Sequence, residues 1–147
     1  MRLCSACLLG IKCRYDGKSK PNKKVTELAK KEILIPVCPE QLGGLPTPRI
    51  FQEIQGCSGE KVLERKGKVL NKKGEDVTSQ FIRGAWETLK IAKMLGVKEA
   101  IFKQNSPSCG CGKIYEGTFS GKLVAGNGVT TALLKKNGIK VITEEDL

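Results

Sequence analysis

The 147-residue chain contains no histidine. That excludes Ser–His and Cys–His dyads, every zinc site that uses imidazole, and imidazole as a general base. Acid–base work must come from carboxylates, lysine, tyrosine or water. Long apolar runs are also missing, and nothing approaches the ~20 residues that cross a bilayer. The opening "MRLCSACLLGIKCRYDG" has one arginine and a short apolar stretch, but Cys4, Cys7 and Cys13 interrupt it, with Lys12 and Arg14 close behind. It reads as mature, cytoplasmic protein rather than a signal peptide. Aromatic residues are few: the seven are spread along the chain, with no stacking platform of the kind single strands need. Acidic residues are outnumbered, 15 against 26 Lys and Arg, for a net charge of +11. Much of the excess is lysine in "KSKPNKK", "NKKG" and "LLKKNG", which suits solvated turns and helix ends as well as an anionic partner.

Cysteine, by contrast, is abundant: seven residues, an odd number. A secreted disulfide framework is usually even in number and shorter in chain. In a reducing compartment the alternatives are metal binding or thiol chemistry. The length is that of one ordinary domain, 1–147, able to bury a core without disulfides.

Helix and strand patterns alternate. "MRLCSACL" opens as a strand and ends at Gly10, "NKKVTELAKKE" reads as a short helix, and "ILIPVCPE" reads as a buried strand ending at Cys38. A Gly/Pro loop follows, and then a hairpin or two short strands over "IFQEIQGCSGEKVLERKGKVLN". "TSQFIRGAWETLKIAKMLG" is the clearest helix: Thr78 or Ser79 can cap it, Phe81, Ala85, Leu89 and Ala92 share a stripe, and Gly96 ends it. The strand "VKEAIFKQN", a small excursion at "KIYEGTFSGKLVAG", the helix "GVTTALLKKNG" and the strand "IKVIT" complete the chain. This succession predicts an α/β fold with a mostly parallel sheet and helices on both faces.

Cys7, Cys38 and Cys109 each fall at or just after the carboxyl end of an expected strand, where open α/β sheets gather ligands. Each is followed by a turn or helix start, whose N–H groups favour thiolates and cluster sulfides. Two metal readings stand at this point. Zinc can take three or four cysteines, and "CSAC" is a suitably close pair. An iron–sulfur cluster suits soft thiolates, and three ligands for four irons leave one iron open. Glu40, two residues after Cys38, is a carboxylate at the crevice mouth that can act as base or acid, or complement a helix dipole. Ser106 in "NSPSC" can bind substrate, relay a proton or form a turn. Cys4 and Cys57 read as small buried hydrophobes.

Three motifs, "SACLLGIKCRYDG", "PVCPEQLGGLPTPR" and "NSPSCG", together with the late "GVTTALLKKNGI", resemble the thiouracil desulfidase (TudS) family over essentially the whole chain. The resemblance implies a single Rossmann-like domain holding a [4Fe–4S] cluster through Cys7, Cys38 and Cys109. One iron has no protein ligand and binds the thione sulfur of a thiolated pyrimidine as a Lewis acid. Glu40 matches the family's catalytic glutamate, which activates water, and Ser106 matches its catalytic serine. The implied reaction exchanges C=S for C=O without net redox change and releases hydrosulfide. Cys13 and Cys111 are accessory thiols to which no ligand role transfers, although Cys111 stands close enough in sequence to replace Cys109. Arg49, Arg14, Ser108 and the helix start at Thr130 and Thr131 are candidates to hold substrate, including a nucleotide phosphate. The favoured substrate is a small one: 2-thiouracil, 4-thiouracil or a thio-uridine nucleotide, with thiolated tRNA less favoured.

Two other functions fit parts of the sequence. A metal-stabilised nucleic-acid-binding module would use the +11 charge and bind in a salt-dependent way. A sulfur carrier would relay persulfide through Cys13 or Cys111. Neither needs Glu40 and Ser106 beside an incomplete ligand set.

Overall fold

Short β-branched and apolar runs separated by Gly, Pro and Lys build the frame. The computed structural model describes residues 1–147. In chain order the elements are β1 (Arg2–Ser5), α1 (Lys23–Leu28), β2 (Leu34–Val37), α2 (Pro39–Leu42), β3 (Gln52–Ile54), α3 (Gly59–Leu63) and β4 (Val69–Asn71). They continue with α4 (Thr78–Leu95), β5 (Glu99–Phe102), β6 (Lys113–Tyr115), β7 (Leu123–Ala125), α5 (Val129–Lys136) and β8 (Lys140–Thr143). Single 3-10 turns follow β1, at Ala6–Leu9, and β8, at Glu144–Asp146.

Four strands pair in parallel in the order β2-β1-β5-β8, as the alternating pattern predicts. Side chains alternate between the two faces of the sheet. Leu3, Ala100, Phe102 and Val141 join the larger core with Phe81, Ala85, Leu89 and Ala92 of α4 and Leu133 and Leu134 of α5. Cys4 and Ile101 face the smaller cluster with Leu8 and Val25. The stripe expected on α4 is therefore the buried one, and Gly96 ends the helix at φ +67°.

The start of α4 departs from expectation. Val77 occupies the cap position, and neither Thr78 nor Ser79 caps the helix through its side chain. Thr78 Oγ1 instead accepts the Val69 N–H at 2.9 Å, while Asp76 Oδ1 accepts the Thr78 N–H at 2.9 Å. The hydroxyl oxygen thus serves the neighbouring strand as an acceptor. Over 50–71, where a hairpin or two short strands are expected, β3 pairs antiparallel with β4, and a helix the pattern did not suggest, α3, is inserted between them. The excursion after Cys111 is a second antiparallel pair, β6–β7.

Candidate active site

In the sheet order the chain passes from β1 to β2 on one side and then crosses to β5 on the other. Order reversal of this kind opens a crevice outside the carboxyl ends of the strands. A cleft of about 710 Å³, counted out to open solvent, lies there. Its walls include Cys7, Cys13, Cys38, Cys109, Glu40 and Ser106, brought from four separate stretches of sequence. The expected strand ends are shifted: β1 stops at Ser5, so Cys7 sits in the following 3-10 turn, and β2 stops at Val37, so Cys38 is the N-cap residue of α2. Cys109 lies in a loop well past the end of β5.

That loop is fastened by its own polar side chains. Ser106 Oγ accepts the N–H groups of Ser108 at 3.1 Å and Cys109 at 3.0 Å. Val129 N–H donates to Pro107 O, and Thr130 and Thr131 N–H donate to Ser108 O, so the loop fills the N-terminus of α5. Thr131 Oγ1 donates to Cys109 O at 2.8 Å, and Ser108 Oγ pairs with Thr130 Oγ1 at 3.0 Å. A Cβ on Gly128 would stand 2.5 Å from Ser108 O, so only glycine allows this approach. The consequence bears on two of the expected substrate contacts. Thr130 and Thr131 are fully buried and their N–H groups are taken, leaving no phosphate site at this helix start. Ser108 is 1% exposed and lies outside the cleft, bonded to Thr130 instead of facing substrate.

Within "CGC" only Cys109 lines the cleft. Cys111 turns away: its Sγ lies 3.6 Å from Val141 O and 3.8 Å from Lys135 Nζ. Cys13, by contrast, is buried in the cleft within reach of both Cys7 and Cys38. Its thiol is lowered by the Cys38 contact but raised more by Cys7 and burial together, to about 11. Contact with Cys13, burial and the Glu40 charge push the Cys38 thiol up strongly. Burial first, then the charge of Glu40, pushes Cys109 up as well. Protein groups alone therefore keep these thiols protonated, and a cationic occupant with affinity for thiolate would offset that bias. No three of the chain's Cys, Asp and Glu side chains close on one point as a single metal ion demands. Cysteine thiols gathered without imidazole are the donors that an iron–sulfur cluster takes, so the chemistry of the donor set fits such a cluster.

Glu40 lies in the first turn of α2, 12% exposed, with Oε2 3.3 Å from Cys38 Sγ and 3.5 Å from Arg49 NH2. Arg49 is 6% exposed at its side chain. Its NH1 donates to Cys13 O at 3.1 Å, Pro46 O at 3.2 Å and Thr47 Oγ1 at 3.2 Å, while its buried Nε has no partner. The guanidinium thus ties the Cys13 loop to the Glu40 helix. The α2 helix is itself pressed against α4 through two glycines. A Cβ on Gly43 would come 2.0 Å from Gln80 O, and one on Gly84 would come 2.0 Å from Pro39 O.

Sequence reasoning missed the aromatic side of the cleft. Four of the seven aromatics converge: Phe51 stands edge-to-face against Tyr15 at 4.9 Å, Tyr115 at 5.6 Å and Phe119 at 6.3 Å between centroids. Tyr15, Phe51 and Tyr115 line the cleft, and Arg14 lies 5.5 Å over the Tyr15 ring. Fully buried Glu53 was missed too. Its Oε1 accepts the N–H groups of Gly117 at 3.0 Å and Phe119 at 3.1 Å, fixing the loop that joins β6 to β7. No local pattern marks these residues, because they meet only when β3 and β6 come together.

The family model for 2-thiouracil desulfurase matches residues 3–146. The uncharacterized protein YbbK of Bacillus subtilis (strain 168) is 48% identical over 147 residues, covering 100% of this chain and 97% of that protein. A solved [4Fe-4S]-dependent thiouracil desulfidase, TudS, is similar with a TM-score of 0.86 and 42% identity, covering 99% of this chain and 91% of that one. By sequence across nearly its full length, and by fold, the chain belongs to the 2-thiouracil desulfurase family.

Proposed function

We propose that the cleft removes sulfur from a thiolated pyrimidine, free or as its nucleotide, converting C=S and water to C=O and hydrosulfide without net redox change. The observation that carries this reading is the meeting of cysteine thiols and one carboxylate in a histidine-free cleft at the sheet's carboxyl edge. The similar solved protein is [4Fe-4S]-dependent and acts on thiouracil. Cys7, Cys38 and Cys109 would hold such a cluster. When bound, it supplies a Lewis-acidic iron without a protein ligand for the thione sulfur.

The remaining work falls to side chains of the chain. Glu40 takes a proton from the water that attacks the thione carbon, and the Arg49 guanidinium holds the carboxylate in place. Ser106 Oγ already accepts two N–H bonds, so its own hydrogen remains to be donated toward the leaving sulfur. The water's two protons are accounted for: one passes to Glu40 and then to solvent, and the other, given up as the new carbonyl forms, replaces the hydrogen that Ser106 donates. The departing sulfur gains one proton through Ser106 and leaves as hydrosulfide. Arg14, at the cleft beside Tyr15, would hold the phosphate of a nucleotide substrate.

The test is anaerobic reconstitution, counting iron and sulfide per chain, then following loss of 4-thiouracil thione absorbance together with hydrosulfide release. Four irons and turnover are expected, with turnover lost in Glu40→Gln although iron is retained, and iron lost in Cys109→Ser. Zinc in place of iron together with inert thiouracil would overturn the reading.

A further inference from the structure

The aromatic side of the cleft has no part in binding a cluster or activating water. Its three lining rings are partly exposed and belong to the cleft wall, not to the buried core clusters. Phe51 meets Tyr15 at an interplanar angle of 66° and Tyr115 at 74°, so each ring fixes the tilt of the next. Rings already held in place lose little freedom when a ligand covers them. On the far side, the Glu53 carboxylate pins the loop carrying Phe119, whose ring stands at 75° to Phe51.

We propose that Tyr15, Phe51 and Tyr115 form a preorganised stacking wall that selects flat, π-conjugated rings over ring-saturated ones with the same amide and thioamide groups. Stacking rewards a planar π face and does not depend on hydrogen-bonding pattern, so the wall supplies what Arg49 and Ser106 cannot: discrimination by ring flatness. The inference rests on reading the cleft as a thiolated-pyrimidine site. It deepens that reading by restricting the substrate class to aromatic heterocycles and excluding dihydropyrimidine-like and open-chain thioamides.

The test compares uracil with 5,6-dihydrouracil, which carries the same N–H and C=O groups on a puckered ring. Neither contains sulfur, so binding is read without turnover, by calorimetric titration of the cluster-loaded protein. Uracil should bind roughly tenfold or more tightly than dihydrouracil, and Tyr115→Phe should keep that ratio because the stacking face survives. Tyr115→Leu and Tyr15→Leu, on separate segments, should each bring the ratio to within about twofold of unity. Equal binding by the native protein, or a ratio unchanged in both leucine variants, would overturn the proposal. So would failure of either ring to bind a protein that does desulfurise 4-thiouracil. A clear ring preference in a protein that leaves 4-thiouracil intact would instead sink the desulfidase reading and leave the wall standing.

Discussion

Gly84→Ala separates two effects of opposite sign. Gly84 lies inside α4, where an alanine should stabilise the helix by about 1 kcal/mol through backbone entropy. The added Cβ, however, would come 2.0 Å from Pro39 O and 2.8 Å from Pro39 C, both backbone atoms of α2. Tolerable contacts begin near 3.0 Å, so α2 must retreat by about 3.0 − 2.0 = 1.0 Å. Overpacking of this kind costs roughly 1–3 kcal/mol, sometimes more, and the rigid backbone here points to the upper end. The net expectation is destabilisation by about 1–2 kcal/mol after the propensity gain, or a Tm lower by roughly 3–8 °C. Denaturant unfolding and calorimetry read this directly. The same shift moves Glu40 and Cys38, which ride on α2, so kcat should fall more than KM rises. A variant more stable than the parent, with unchanged kcat, would refute the idea that the Gly43–Gly84 contact sets the position of α2.

Glu53→Ala removes the acceptor for two buried N–H groups and should destabilise by about 2–4 kcal/mol, raising KM as the aromatic loop loosens. Glu53→Gln keeps an acceptor oxygen and should retain most of the native KM; equal effects in both variants would assign the role to charge instead. The Thr78 hydroxyl and N–H hold the Asp76 carboxyl below its usual range. A depressed folded pKa adds stability that is present above the unfolded value near 4 and lost as pH falls through the folded one. The stability gap between the native protein and Asp76→Asn should therefore be seen at neutral pH and shrink as pH falls below the unfolded value in urea titrations. Removing iron with a chelator should leave the far-UV circular dichroism essentially unchanged, because apolar packing and backbone hydrogen bonds join the sheet and helices. Loss of helical signal on chelation would show that folding depends on the metal, as in small zinc domains.

What was legible in the sequence was whatever depends on local period or on a motif. The α4 stripe of Phe81, Ala85, Leu89 and Ala92 is buried as its spacing requires, because one helix face packs on one sheet face. The parallel order could be anticipated from helix–strand alternation, and Cys7, Cys38 and Cys109 all reach one cleft. What sequence could not supply were properties of third partners. Ser108 and Thr130 look like free hydroxyls at a loop and a helix start, yet each saturates the other. Thr78 looks like a cap until β4 claims its oxygen. The two sulfurs of "CGC" are equivalent on paper, and only the closure of the loop onto α5 directs Cys109 inward and Cys111 toward β8. The aromatic wall is the extreme case, since Tyr15, Phe51 and Tyr115 belong to three unrelated segments.

These third partners also explain how a site assembled from such distant residues can be exact in position. Each of the three thiols assigned to the cluster is held by a different device. Cys7 lies in the 3-10 turn ended by Gly10 at φ +93°. Cys38 caps a helix that two glycines press against α4, and Cys109 is closed onto α5 by Ser106 and Thr131. None of these devices requires a bound metal, and all are paired backbone or packing contacts that form with the sheet. Between Cys7 and Cys109 runs most of the chain, so an unfolded polypeptide would lose considerable loop entropy in gathering them. The folded sheet edge meets that cost, so the three thiols are gathered with Glu40, Arg49 and the aromatic wall around one cleft.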